Sequence, residues 1–255
     1  MLRLTAPPGC PEAGETLIRQ ISGPLSTVGA ALEEAAVEGP ARGLLRVAVT
    51  SIAERFLSGS LISSFALAHP GVTLDVTVTD DESDIVEAGF DAGVRLGEVI
   101  EQEMVAVPLT GPQRQVIVAS PAYLAAHGTP ADPRELLGHC CIGWRPAPQA
   151  APYRWEFRQD GRDFDLTVEP RITTNDMLLM IRTALAGAGI TIGMEETFRP
   201  YIERGELVSV LDDFLPNFAG FFLYFPSRRN QPRKLRALVE HVRSHADSSQ
   251  MVRSM

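Results

Sequence analysis

The chain lacks an excess of basic residues. Its 23 Lys and Arg face 32 Asp and Glu, a net charge of −9 at pH 7. That is the wrong sign for a surface that tracks phosphates along its length, so a nucleic-acid contact has to be local. Cysteine is scarce: Cys10, Cys140 and Cys141 cannot all pair, and adjacent cysteines rarely bond to each other, so a disulfide framework is not supported. Long apolar runs are missing too. The longest apolar region, Phe214 to Phe225, is broken by Pro216, Asn217 and Gly220 and falls short of the roughly twenty residues that cross a bilayer. No basic segment followed by an apolar core and a small-residue cleavage site opens the sequence, so export is not expected and the expected location is the cytoplasm, with no membrane partner.

The sequence is equally short of catalytic constellations. His69, His127, His139, His241 and His245 are scattered, and neither a Gly-x-Ser-x-Gly elbow nor a His-Glu-x-x-His helix occurs. Gly187-Ala188-Gly189 follows a predicted helix, whereas a dinucleotide loop follows a strand, and the third glycine position holds Ile192; it reads as a helix C-cap. His241 and His245, one helical turn apart, read as a solvated terminal helix before a metal site. Cys140-Cys141 reads as part of a strand with one residue buried, before a redox sensor. No catalytic residue, metal ligand or cofactor is assigned, and an enzyme is not expected.

What is present begins with a core. At 255 residues and 45% hydrophobic content the chain can bury one large domain or two modest ones. Leu44 to Val49 reads as a buried strand, Thr50-Ser51 as a helix start, and Val72 to Val78, after Pro70-Gly71, as a second strand: one βαβ unit. Ile52, Phe56, Leu57, Leu61, Ile62 and Phe65 recur at helical spacing and predict one helix of about twelve or more residues. Val72, Leu74, Val76 and Val78 alternate with Thr73, Asp75, Thr77 and Thr79, as on a strand near a sheet edge with one side wet.

Ahead of this unit, Ile18, Ile21, Leu25, Val28 and Leu32 repeat with alternating spacings of three and four. These a and d positions predict a helix that pairs with its copy in a second chain, making a homo-oligomer, dimer or tetramer. An amphipathic helix lying on its own domain is the alternative. Glu38-Gly39-Pro40-Ala41 favours pairing, because it reads as a linker that detaches the helix, while Gly23-Pro24 delays the coil until after Pro24.

Downstream, helix and strand alternate. A short helix is expected at Ser83 to Ala88, strands at Asp91 to Leu96 and around Met104 to Leu109, then a strand ending in Ala119-Ser120-Pro121 before a short helix at Tyr123 to His127. A helix at Pro133 to Leu137, strands at Cys140 to Trp144 and Arg171 to Thr174, a helix over Asn175 to Ala188 and a strand at Ile190 to Met194 follow. Asp160-Gly161, between Trp155-Glu156-Phe157 and Phe164 to Val168, is a strong hairpin signal. Phe221 to Phe225 reads as a returning strand and Pro232 to Arg243 as a closing helix with proline in its first turn.

Polar groups collect at expected strand ends, where a parallel crossover presents ligand-contacting residues. Thr50 and Ser51 follow the first strand, Thr79 the second. Thr174 and Asn175 stand where a strand becomes a helix, and free N–H groups at a helix start favour an anion. Asp176 there reads as a cap. Arg95 ends the strand Ala92-Gly93-Val94, where its guanidinium can grip a carboxylate bidentately or pair with Asp91 or Glu98. Thr50, Ser51, Thr79, Arg95, Thr174 and Asn175 are the candidate effector-binding residues, and two helix starts with a cation predict a small organic acid as the ligand.

Several separate motifs in this order resemble the effector-binding region of the LysR-type transcriptional regulators, from about Gly43 to Arg243. Gly43-Leu44-Leu45-Arg46-Val47 and His69-Pro70-Gly71-Val72 match the family's opening. Gly89-Phe90-Asp91-Ala92-Gly93-Val94-Arg95-Leu96-Gly97 is especially similar to one large subgroup, and Val118-Ala119-Ser120-Pro121-Ala122-Tyr123-Leu124, Thr173-Thr174-Asn175-Asp176 and Tyr224-Phe225-Pro226-Ser227-Arg228-Arg229 also match. The resemblance implies a two-lobed α/β fold like the type 2 periplasmic binding proteins. It has two crossovers, near Ser120 and Tyr224, and an effector in the cleft between the lobes, preceded by a linker helix. Residues 1–40 would be the end of a wing and the heptad helix, 43–119 with 224–246 lobe I, 120–223 lobe II, and 247–255 a flexible tail. The family's winged helix-turn-helix has no counterpart here: Leu2-Arg3-Leu4-Thr5 and Glu12-Ala13-Gly14-Glu15 resemble only the wing's end. Promoter DNA is therefore expected as a partner only through a module not in this sequence. A solute-binding protein of a transport system is the runner-up on fold grounds, but it would need an export signal and has no use for a heptad helix.

Overall fold

The strand expected at Leu44 forms and organises a five-stranded sheet. In the computed structural model, which describes residues 39–80, 84–101, 103–227 and 231–253 together with Ile21 and Val28, the chain divides into two units. Of the described residues, one unit comprises those up to Thr50, those within Phe56–Thr110 and those from Phe221 onward; the other comprises Ser51–Arg55 and Gly111–Gly220. Of the heptad positions, Ile21 and Val28 are helical and Val28 is 54% exposed, while Ile18, Leu25 and Leu32 lie outside the described residues.

In the first unit β1 (Gly43–Val49) pairs in parallel with β2 (Val72–Val78) on one side and β3 (Ala92–Leu96) on the other. The last strand, β13 (Phe221–Pro226), runs antiparallel between β3 and β4 (Met104–Pro108), giving the order β2-β1-β3-β13-β4. Alternation along β1 sends Leu45, Val47 and Val49 to one face, where helix α1 (Gly59–Ala68) contributes Leu61 and Phe65, and helix α5 (Arg233–Arg253) contributes Leu235, Leu238 and Val242. Each such side chain contributes about 1.5–3 kcal/mol by leaving water. The opposite face carries Ala48 and Tyr224 under Ile85, with Phe90 and Met104 alongside. The edge position of β2 leaves Val76 38% and Val78 52% exposed, so the apolar side of its alternation is covered only at the start of the strand, at Val72 and in part at Leu74.

The chain's one lysine, Lys234, joins α5 to the sheet. Its ammonium donates to the Leu44 carbonyl and sits 2.8 and 2.9 Å from the two Asp91 oxygens, with the pair about one-sixth exposed. Asp91 also accepts from the Arg46 N–H at 2.9 Å.

Two local expectations fail here. No single helix runs from Thr50-Ser51: Glu54–Phe56 form one 3-10 turn, and α1 starts at Gly59. Ser58 is extended, and its Oγ accepts from Leu61 N at 3.1 Å, so a new helix start supersedes the rhythm of Ile52, Phe56 and Leu57. In place of a helix at Ser83 to Ala88 there are turns over Ile85 to Gly89, ended by Gly89 at φ +81°; Ser83 itself lies outside the described residues.

The second unit holds β5 (Gln113–Ala119), β6 (Cys141–Trp144), β9 (Ile172–Thr174), β10 (Ile190–Met194) and β11 (Val208–Val210) in the order β11-β5-β10-β6-β9, with β12 (Asn217–Phe218) also on β5. Helices α2 (Pro121–His127), α3 (Met177–Leu185) and α4 (Glu195–Glu203) belong to it. Ile117, Ile192, Trp155 and Phe157 build one apolar cluster, and Val116, Val118, Ile142, Met180 and Phe198 another. The hairpin of β7 (Trp155–Gln159) and β8 (Arg162–Leu166) turns through Asp160 and Gly161, both at positive φ, as its sequence requires. Pro133–Gly138 is a 3-10 turn, not an α-helix. Because β5 pairs with β10, β11 and β12, it belongs to this unit. The chain therefore leaves the first unit after Thr110 rather than after Ala119, and returns at Phe221 rather than Tyr224.

Candidate functional site

From β1 the chain pairs one way with β2 and the other way with β3, so their carboxyl ends diverge around a crevice, the place where such sheets bind ligands. The backbone ties these ends together: Thr79 N donates to Val49 O at 2.8 Å and Thr50 N to Val94 O at 3.2 Å. A pocket of about 120 Å³ opens there. Its polar lining is Thr50, Thr77, Thr79 and Arg95, and Ile85, Phe90 and Tyr224 supply much of the apolar wall. A few convergent polar groups in an apolar hollow make a small-molecule site.

Two groups define its chemistry. Thr50 Oγ1 is buried with no hydrogen-bond partner among the described residues, a state that native structures seldom leave unexplained. The Arg95 guanidinium, half-buried, lies over the Tyr224 ring with its central carbon 4.6 Å from the ring centroid. Burial pushes the Tyr224 phenol above its ordinary pKa, against the opposing pull of Arg95, so the ring stays neutral. Asp91, one partner the sequence allowed Arg95, is held by Lys234 and the Arg46 N–H.

Of the six candidates, Thr50, Thr79 and Arg95 line this pocket together. Ser51 does not; its Oγ is buried at the start of the stretch Ser51–Arg55 that groups with the second unit. The helix start expected at Thr50-Ser51 is absent, so that argument for an anion falls away. Thr174 and Asn175 stand in the second unit, at the turn into α3. Thr174 Oγ1 accepts from Asp176 N at 3.0 Å, Asn175 Nδ2 donates to the Pro146 carbonyl at 3.5 Å, and Asp176 caps the helix through Leu179 N at 2.8 Å. Tyr224 and Thr77 are pocket residues that the sequence reading does not single out. Thr77 follows from the alternation that presents Thr79; Tyr224 depends on the pairing of β13 with β3. His241 Nε2 lies 2.8 Å from Ser64 Oγ and its ring packs edge-on against Phe65, which makes it a helix-packing residue. Among the described residues no group of His, Cys, Asp or Glu is arranged to hold a metal, and no helix is long and apolar enough to cross a membrane.

These features define a two-unit α/β ligand-binding protein. The LysR substrate binding domain matches residues 38–247, and the chain belongs to that family. A putative LysR family substrate binding domain-containing protein, YagP, of Escherichia coli (strain K12) is 67% identical over 105 residues, 41% of this chain and 77% of that protein. A putative transcriptional regulator of Pseudomonas aeruginosa (PAO1) is 35% identical over 232 residues, 91% of this chain and 76% of that protein. The full-length structure of the Vibrio cholerae virulence activator AphB, a member of the LTTR family, shares the fold at a TM-score of 0.70 and 24% identity, over 92% of this chain and 80% of that one. The fold is that of the two-lobed, type 2 periplasmic-binding-like regulatory domains. The chain is the effector-binding domain of a LysR-type transcriptional regulator, and its relatives are regulators, not enzymes.

Proposed function

We propose that the chain senses a small organic acid in the pocket at the carboxyl ends of β1 and β3, and that occupancy adjusts an oligomeric cytoplasmic regulator. The observation that carries the reading is the joint presence, among the residues lining one pocket, of Arg95 and of Thr50, whose buried hydroxyl has no partner among the described residues. A carboxylate satisfies both: it takes a bidentate pair from arginine, which a point-charge ammonium does not offer, and it accepts a hydrogen bond from the threonine hydroxyl. Thr79 and Thr77 add hydroxyls around it. The heptad residues Ile18, Ile21, Leu25, Val28 and Leu32 supply the pairing helix in this reading.

The test is a thermal-shift screen of small metabolites on the wild type and Arg95→Ala. Carboxylates are expected to stabilise the first and not the second, since loss of one charge-assisted contact costs roughly 1.5–3 kcal/mol of binding. A best ligand that is uncharged and indifferent to Arg95→Ala would overturn the anionic reading and leave the family membership untouched.

A further inference from the structure

Position 93 holds glycine, and an aromatic ring occupies the space a side chain would take. A Cβ there would lie 2.5 Å from Tyr224 Cζ and 2.6 Å from Tyr224 Oη, closer than real contacts allow. The cause is register: Gly93 and Tyr224 are direct partners across β3 and β13. Period-two alternation then puts Arg95 on the same face as Gly93, two residues along, and its guanidinium lies over that ring. Tyr224 is 4% exposed, so almost all of its ring surface lies against neighbouring groups.

We propose that Gly93 and Tyr224 form a platform that fixes the Arg95 guanidinium for carboxylate binding, with Tyr224 as its stacking partner and Gly93 as the positioning residue that lets the ring lie against the strand. The inference rests on the anionic reading of the pocket. An arginine side chain otherwise has many rotamers to lose when a ligand arrives; a guanidinium already stacked has fewer, and the affinity gained is that of preorganisation. Alanine at position 93 displaces the ring and releases the guanidinium without touching the ligand.

Two measurements on the full chain separate the platform from the reading it rests on. The first needs no ligand: the side-chain Nε–Hε resonance of Arg95, identified by its loss in Arg95→Lys, is expected upfield from the ring current in the wild type and in Tyr224→Phe, and at the ordinary arginine position in Tyr224→Leu. The second titrates sodium acetate, succinate and benzoate as probes. Tyr224→Phe should bind as the wild type does, and Tyr224→Leu and Gly93→Ala about tenfold more weakly. Should Gly93→Ala fold poorly, the double variant Gly93→Ala with Tyr224→Leu relieves the clash: its melting temperature should recover while its affinity stays at the level of Tyr224→Leu. An unshifted Arg95 resonance in the wild type, or full affinity in Tyr224→Leu, overturns the platform. A shifted resonance in a wild type that binds none of the probes refutes the anionic reading, and with it the platform's role in binding, while the stacked geometry stands.

Discussion

Cys140 and Cys141 are sequence neighbours with unequal exposure, one just ahead of β6 and the other its first residue. Cys141 is 2% exposed and its thiol reaches the Leu136 carbonyl at 3.7 Å. Burial, reinforced by Cys140, pushes its pKa up to about 12. Cys140 is half-buried, with Arg171 Nη1 3.6 Å from its sulfur. The folded chain therefore prefers a protonated Cys141, while the unfolded chain loses that proton near the ordinary thiol value of about 8.5. The sign follows: this contribution to stability is complete below that value and is lost progressively as pH rises toward about 12. Iodoacetamide at pH 8 should label Cys140 and spare Cys141 until denaturant is added, as peptide mass spectrometry would show. Between pH 9 and 11 the wild type should lose more stability than Cys141→Ala; equal losses would mean that the thiol is not held protonated.

Helix α1 shows what a cap decides. Removing the acceptor by Ser58→Ala should cost about 1 kcal/mol in urea unfolding, and Ser58→Thr much less, because the side-chain oxygen on Leu61 N satisfies one of the first free N–H groups. The same residue marks the limit of sequence reading. The strands β1 and β2, the primed hairpin at Asp160-Gly161 and the Asp176 cap depend on a few adjacent residues, and their local chemistry made them legible. The start of α1 was not, since Ile52, Phe56 and Leu57 kept helical spacing through a turn that periodicity cannot distinguish from helix. α4, with Pro200 inside it, gave no such signal. In the pocket, strand-end logic reached Thr50, Thr79 and Arg95. It missed Tyr224, whose place is set by β13 crossing beside β3 from the far end of the sequence.

Across the whole chain, the linker prediction concerns assembly. With the heptad seam paired as proposed, Leu25→Asp combined with Val28→Asp should lower the sedimentation coefficient from that of a dimer or tetramer; an unchanged oligomer would mean that the seam does not hold the chains together. The closing helix offers a different kind of observation. Lys234, the one lysine in the sequence, is anchored to Asp91 and the Leu44 carbonyl in the first turn of α5. A lysine-specific endoproteinase thus has a single bond to cut, Lys234–Leu235, and reaches it only when the helix peels away from the sheet. The chain carries its own one-cut clock: the pace at which two fragments appear on a gel counts openings of the first unit and is blind to the second, which contains no lysine.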